Sequence, residues 1–163
     1  MDEIDRKILR ILQQDGAIAN QTLAARVGLS PSPCLRRVRA LEAAGIIRRT
    51  VALIDGEAVG AGFVADVEVR LEKQSGAFSS RFEAAIVARP EVIECSFVTG
   101  GYDYLLKVAV ADLSEFHRFL TETLARVEGV ANTRTTIPVK RIKETTALRV
   151  LAGEALRVAK RRA

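Results

Sequence analysis

The stretch Leu29-Ser-Pro-Ser-Pro-Cys-Leu-Arg-Arg-Val-Arg-Ala-Leu-Glu-Ala-Ala-Gly45 constrains the chain most, because it carries its own start and stop. Ser32 is a good N-cap, and Pro33 then takes the first helical position, where a missing N–H costs nothing. Gly45 supplies a left-handed stop. Leu35, Val38 and Leu41 recur at helical spacing and predict a narrow apolar stripe. Ser32, Arg36, Arg37, Arg39 and Ala40 then project away from that stripe. The helix is small and polar where it begins, arginine-lined outside and anchored by aliphatics beneath. A helix meant for a DNA major groove needs that layout: its first turns approach base edges, and arginine pairs bidentately with guanine. Three outward arginines are also what an ordinary solvated helix face carries. The surroundings have to decide.

Asp2 predicts a cap for a first helix whose Ile4, Ile8, Ile11 and Leu12 share one face, with Asp15-Gly16 as its stop. Asn20 predicts the cap of a second, short helix bearing Leu23, Ala24 and Val27. Gly28-Leu29-Ser30 is a tight turn before the arginine helix, so the last two helices form a helix-turn-helix. Gln21 and Thr22, at the start of the second helix, are candidates for holding the DNA backbone. The β-branched run Ile46 to Ile54 predicts a strand and wing, with Arg48 and Arg49 near phosphates. Helix pairs of this kind also occur in proteins that never meet DNA. The short turn, the Ser/Pro start, the outward arginines and the basic wing together favour double-stranded DNA.

Charge supports the same division. Residues 1–55 carry a net +3, residues 56–139 a net −4 and residues 140–163 a net +6. A locally basic module suits a polyanion, while the acidic middle argues against a protein that coats nucleic acid along its whole surface. No apolar run approaches the ~18 residues that cross a bilayer, and the acidic N-terminus lacks the order of a secretory signal. The two cysteines, Cys34 and Cys95, are far apart and lack metal-ligand spacing. They point to the reducing cytoplasm, with no disulfide framework and no metal site.

Three glycines between Asp55 and Gly62 read as a boundary, giving blocks of 1–60, 61–142 and 143–163. In the second block Phe63, Ala65, Val67, Val69 and Leu71 alternate with polar residues, as in a strand with one face in a core. A helix is predicted over Gly76 to Ala88, with Phe78, Phe82, Ala85 and Ile86 inward, and Arg89-Pro90 ends it. Strands follow at Val92 to Thr99 and Tyr104 to Val110, joined across Gly100-Gly101. Asp112 caps a helix over Leu113 to Val127, with Leu113, Phe116, Leu120, Leu124 and Val127 inward. A threonine-rich strand runs from Val130 to Val139, with Pro138 at an edge or bulge. The order is β-α-β-β-α-β, the split ferredoxin-like arrangement, so the chain as a whole is α+β. Its helices cover one sheet face; Asp66, Glu68, Lys107 and Arg134 stud the other, which is either wet or a dimer surface. A dimer fits the first block, since one helix-turn-helix reads only a half-site.

With both blocks in view, the chain resembles the Lrp/AsnC family of feast/famine transcription regulators. The likeness rests on Ile4-Asp5-Arg6-Lys7-Ile8-Leu9, on Val27 through Val38, and on Gly45-Ile46-Ile47. In the second block it rests on Glu94-Cys95, Val98 through Leu106, Gly129-Val130 and Thr133-Arg134-Thr135. The resemblance covers the chain to about Val150. It implies an N-terminal winged helix-turn-helix and a C-terminal amino-acid-sensing (RAM-type) domain. It also implies a homodimer that assembles to a tetramer or octamer, with an amino-acid effector bound between subunits and no other cofactor. Carried over by position, the effector region is Gly100, Gly101, Tyr102 and Asp103, with Leu113 and with Thr135, Thr136 and Ile137. Glycines let a ligand approach backbone N–H groups, and Asp103 suits an ammonium; Gly100-Gly101 by themselves read equally as a hairpin turn. The last block is read as a strand continued by a basic tail, Ala152 to Arg162, that runs past the family's usual end.

The function expected is a sequence-specific transcription regulator of amino-acid metabolism whose DNA binding or assembly answers to an amino acid. The alternatives are an architectural protein that wraps DNA with little sequence preference and, from another class, an enzyme like the sirohaem decarboxylases that resemble this family. The enzyme reading calls for histidines and arginines around a large cavity, and the chain has one histidine, His117, so no catalytic residue is assigned.

Overall fold

The computed structural model describes residues 1–73 and 76–151. They form two compact units: Met1–Ala52 joined by the chain from Lys143, and Leu53–Ile142. The division falls ahead of residue 60, because the glycine-rich stretch belongs with the second unit.

The first unit holds three helices, α1 (Glu3–Leu12), α2 (Asn20–Val27) and α3 (Pro31–Ala43). Asp2 caps α1 in a reciprocal box: Asp5 N–H donates to Asp2 Oδ1 at 2.9 Å and Asp2 N–H to Asp5 Oδ2 at 3.0 Å. The helix stops at Leu12, ahead of Asp15-Gly16. In α2 the cap is Ala19, and Asn20 is the first helical residue; its side chain donates instead to the Pro31 carbonyl at 2.9 Å. Gly28 ends α2 in the left-handed region at φ 74°.

In α3 the cap is Ser30, and Pro31 takes the first helical position, two residues ahead of the predicted Ser32-Pro33. Two Ser-Pro pairs stand in tandem, and either can start a helix; the Asn20 bond to Pro31 ties the earlier pair to α2. Gly45, at φ 68°, closes α3: its N–H donates to Glu42 O at 2.8 Å and Ile46 N–H reaches back to Leu41 O at 2.9 Å. The buried stripe of α3 is Cys34, half-buried Val38 and Leu41, with Leu35 left 39% exposed. Cys34 precedes Val38 by four residues and Leu41 by seven, the spacing of one helix face, whereas Leu35 sits one residue out of phase. These residues share a core with Ile8, Leu23, Ala24 and Val27.

Residues 46–54 form no strand, contrary to the expectation from their β-branched composition. A strand is held by its ladder, and among the described residues this unit offers no second strand to pair with. Ile46 and Ile47 pack on the helical core instead. The expected C-terminal strand is likewise absent over residues 143–151. There the chain is held by the Gln13 side chain, which accepts from Leu148 N–H at 2.6 Å and donates to Leu148 O at 3.1 Å. The basic tail, residues 152–163, lies outside the described residues.

The second unit is a four-stranded antiparallel sheet in the order β2-β3-β1-β4, with β1 Phe63–Leu71, β2 Val92–Phe97, β3 Tyr104–Val110 and β4 Val130–Thr136. Helix α4 (Gly76–Val87) follows β1, and α5 (Leu113–Arg118) follows β3. The β1 alternation is obeyed: Ala65, Val67, Val69 and Leu71 are buried and Arg70 is exposed. Strand β2 ends before Val98, and β4 ends before Ile137-Pro138, where proline cannot donate to a ladder. The predicted single helix to Val127 becomes α5, a π-type turn at Phe119–Thr123 and a 3₁₀ turn at Leu124–Arg126. The wider turn carries Phe119 into the core, with Phe116 and Leu124, while Leu113 is 60% exposed rather than inward.

Phe82 of α4 lies against Tyr104 with ring centroids 4.6 Å apart, and both are buried. Phe82→Ala should destabilise the sheet unit by about 3–5 kcal/mol. Chemical denaturation followed separately in each unit should show the loss in the sheet unit only.

Candidate DNA-reading face and effector turn

Seating α3 by Cys34, Val38 and Leu41 turns Ser32, Arg36 and Arg39 outward as one row, and all three are exposed. Their spacing, i, i+4, i+7, is one stripe along the helix. Pro33 is half-buried beside the row and Ala40 is exposed at its flank. Arg48 and Arg49 are exposed in the segment after α3, and Gln21 and Thr22 are exposed on the first turn of α2. The helix-turn-helix therefore presents a polar and cationic surface from both of its helices.

Arg37 departs from the expected outward set. Its Nη1 donates to Asp2 Oδ2 at 2.6 Å and to Asp5 Oδ1 at 2.8 Å, so it turns back onto α1. The hydrogen bonds it donates to Asp5 and Asp2 raise the pKa of the Arg37 guanidinium above its ordinary value. Asp2 is lowered, first by the backbone N–H of Asp5 and then by Arg37. Nothing in the local pattern of α3 marks Arg37 out; its partners lie 32 and 35 residues away.

In the sheet unit the Gly100–Asp103 turn is tied to the end of β1. Gly100 has φ 126°, which suits glycine. Asp103 N–H donates to Val69 O at 2.9 Å, and Asp103 O accepts from Val98 N–H at 2.9 Å. The Asp103 carboxylate is buried, and its Oδ2 accepts from Leu71 N–H at 2.7 Å, beside the register shift at Arg70/Leu71. That shift leaves an amide without a ladder acceptor, and the side chain takes its place. Arg70 Nε donates to Gly101 O at 2.9 Å, its Nη2 donates to the same oxygen, and the guanidinium stands 5.5 Å from the centroid of the Tyr102 ring. Arg70 was not among the residues expected here; only the tertiary fold brings it to the turn.

The other expected effector residues lie elsewhere. Thr136 pairs with Asp66 and Thr135 with Val67, so Thr135, Thr136 and Ile137 occupy the end of β4 that runs towards Phe63. Leu113 follows β3 beyond the Phe63↔Val110 pair. The turn sits near Arg70, seven residues along β1 from Phe63, or about 23 Å at ~3.3 Å per residue. One chain therefore brings Gly100, Gly101, Tyr102 and Asp103 together at one end of the sheet and carries Leu113 at the other. At the α5 start, Asp112 Oδ1 accepts from Glu115 N–H at 2.8 Å and Glu115 Oε2 accepts from Ala111 N–H at 2.8 Å. Those amides are already satisfied within the chain.

A basic helix-turn-helix joined to a ferredoxin-like unit with a glycine turn defines a DNA-binding regulator with a ligand-binding domain. A family model described as "Lrp/AsnC ligand binding domain" matches residues 64–148, and one described as "Winged helix-turn-helix DNA-binding" matches residues 1–48. The chain is 43% identical over 148 residues to the leucine-responsive regulatory protein of Salmonella typhimurium, covering 91% of this chain and 90% of that one. Its counterpart in Escherichia coli K12 is 42% identical over the same shares. Among solved structures, a Neisseria meningitidis transcriptional regulator in complex with L-Met superposes with a TM-score of 0.88 at 40% identity, covering 91% of this chain and 96% of that one. An AsnC family regulator from Agrobacterium tumefaciens gives 0.86 at 39% identity, covering 91% and 97%. The chain belongs to the Lrp/AsnC family of transcriptional regulators.

Asp103→Ala leaves the Leu71 amide buried without an acceptor and should cost about 1–3 kcal/mol, with Asp103→Asn costing less because its carbonyl oxygen still accepts. Thermal unfolding of the two variants checks the order.

Proposed function

We propose that this regulator reads DNA with Ser32, Pro33, Arg36 and Arg39 in the major groove. Gln21, Thr22, Arg48 and Arg49 hold phosphates. The observation that carries the reading is the exposed row Ser32–Arg36–Arg39, opposite the buried stripe of α3. Base-edge contacts from such a row give sequence preference, and phosphate contacts give affinity. An architectural protein lacking that readout would bind all duplexes alike. Against a competing pool of bulk DNA, the regulator should prefer its selected site by at least about 10³. Arg36→Ala should cost about 1–3 kcal/mol at that site and relax base choice. An equal loss on every sequence would make Arg36 a phosphate contact.

The effector is a free amino acid, as in the L-Met complex of the Neisseria regulator and in the naming of the leucine-responsive relatives. Its site combines the Gly100–Asp103 turn of one subunit with Leu113, Thr135, Thr136 and Ile137 of another. Support comes from Leu113, which lies beyond the Phe63↔Val110 pair at the far end of β1 from the turn, too distant for one small ligand to span within a chain; Thr135 and Thr136, opposite Val67 and Asp66, stand three to four residues from Arg70, about 10–13 Å. Asp103 then shapes the turn more than it binds an ammonium, since its carboxylate is buried under Leu71 N–H. Copies would pair through the sheet face free of helices, where Glu68 and Arg134 stand 3.9 Å apart and Glu94 and Lys107 likewise, and assemble on to a tetramer or octamer. The protein acts in the cytoplasm, without a further cofactor and without catalysis; its one histidine, His117, lies on the exposed side of α5.

A thermal-shift screen of the twenty amino acids should single out one or a few. Tyr102→Ala and Thr136→Ala should each blunt that shift. Mixing the two variants under conditions that exchange subunits should restore part of it, because some interfaces regain both wild-type halves. No recovery would place the site within one chain.

A further inference from the structure

The Arg37 contacts form a closed unit. Asp2 and Asp5 each spend one carboxylate oxygen on the other's backbone N–H and the second on the same Arg37 nitrogen. Without the guanidinium, two carboxylates would face one another across the start of α1. With it, the first turn of α1 is fastened to the middle of α3. Arg36 and Arg39, its neighbours on α3, have no such carboxylate partner among the described residues.

We propose that Asp2, Asp5 and Arg37 are a positioning clamp that sets the tilt of the reading helix against α1, and that Arg37 takes no part in contacting DNA. The apolar stripe fixes the rotation of α3 about its own axis, and the clamp adds a second restraint, on its tilt against α1. A misdirected α3 loses base-edge geometry while its phosphate contacts survive. This rests on the reading that the exposed face of α3 meets DNA.

The experiment uses the full chain and a short duplex selected by the wild-type protein from a random-sequence pool. Affinity is titrated across salt concentrations for Arg37→Ala, Arg37→Lys, Asp2→Asn/Asp5→Asn and the triple variant. Asparagine still caps a helix, so the paired change weakens the ion pair while keeping the box. The clamp predicts that Arg37→Ala and Asp2→Asn/Asp5→Asn both weaken selected-site binding by about tenfold or more, the scale of one lost base-pair readout. The triple variant should be no worse than either, and Arg37→Lys should recover part of the loss. The salt slope should stay as in wild type, whereas losing a phosphate contact lowers it by about one. A DNA-free readout runs alongside. In a Cys95→Ser background, alkylation of fully buried Cys34 should quicken in both clamp variants as α3 loosens.

Tighter DNA binding by Asp2→Asn/Asp5→Asn, a slope lowered by Arg37→Ala, or unchanged Cys34 alkylation in both variants overturns the clamp. Faster alkylation together with an Arg36→Ala variant that binds like wild type would instead sink the DNA-reading assignment of α3 and leave the clamp standing.

Discussion

Cys34 has no exposed surface, and Val38 and Leu41 follow it on the same face of α3, so the helix seats against α1 and α2 in one rotation. Which side chains of α3 face outward follows from that rotation. A helix turned by one residue, with Leu35 inward, would swing its outer row by about 100°. Arg36 would then leave the centre of the exposed face. The thiol suits the contact because it is small and behaves as a hydrophobe when buried. Burial also pushes its pKa up, so it stays a neutral packing group.

The sheet unit rests on a comparable local constraint. The register of β1 shifts at Arg70/Leu71, and the Asp103 carboxylate supplies the acceptor that the ladder lacks there. The β1 alternation turns Arg70 away from the core, where it reaches the Gly101 carbonyl. The end of β1 therefore holds the glycine turn from two sides, through the Asp103 carboxylate beneath and the Arg70 guanidinium outside. The glycines allow the turn, but Asp103 and Arg70 hold it in one form.

The parts legible in the sequence are those set by local patterns. The β1 alternation could be read because its two faces meet different environments, and Gly45 because a left-handed stop needs glycine. The α3 start could not be separated from its neighbour two residues on, since Ser30-Pro31 and Ser32-Pro33 carry identical local signals. Packing and the Asn20 bond to Pro31 decided between them. The run from Ile46 to Ile54 has the composition of a strand, but composition supplies no partner, and none is present in its unit among the described residues. Arg37 looked like its neighbours because Asp2 and Asp5 are remote in sequence. The candidate effector residues came from the resemblance by position, and only the register of β1 against β3 and β4 shows that the Gly100–Asp103 turn and Leu113 lie at opposite ends of the sheet.

That division bears on how so small a ligand could control so large a partner as DNA. Moving a two-state equilibrium from 1:99 to 99:1 requires about 5.5 kcal/mol of differential binding. One amino acid, buried in one chain, would have to supply all of it while distinguishing two packings of the same pocket. On the proposed split site, an unpaired chain would offer only part of the pocket, and the differential would be built into assembly. Two-fold pairing also makes two equivalent sites, so each ligand needs to contribute only about half of that energy.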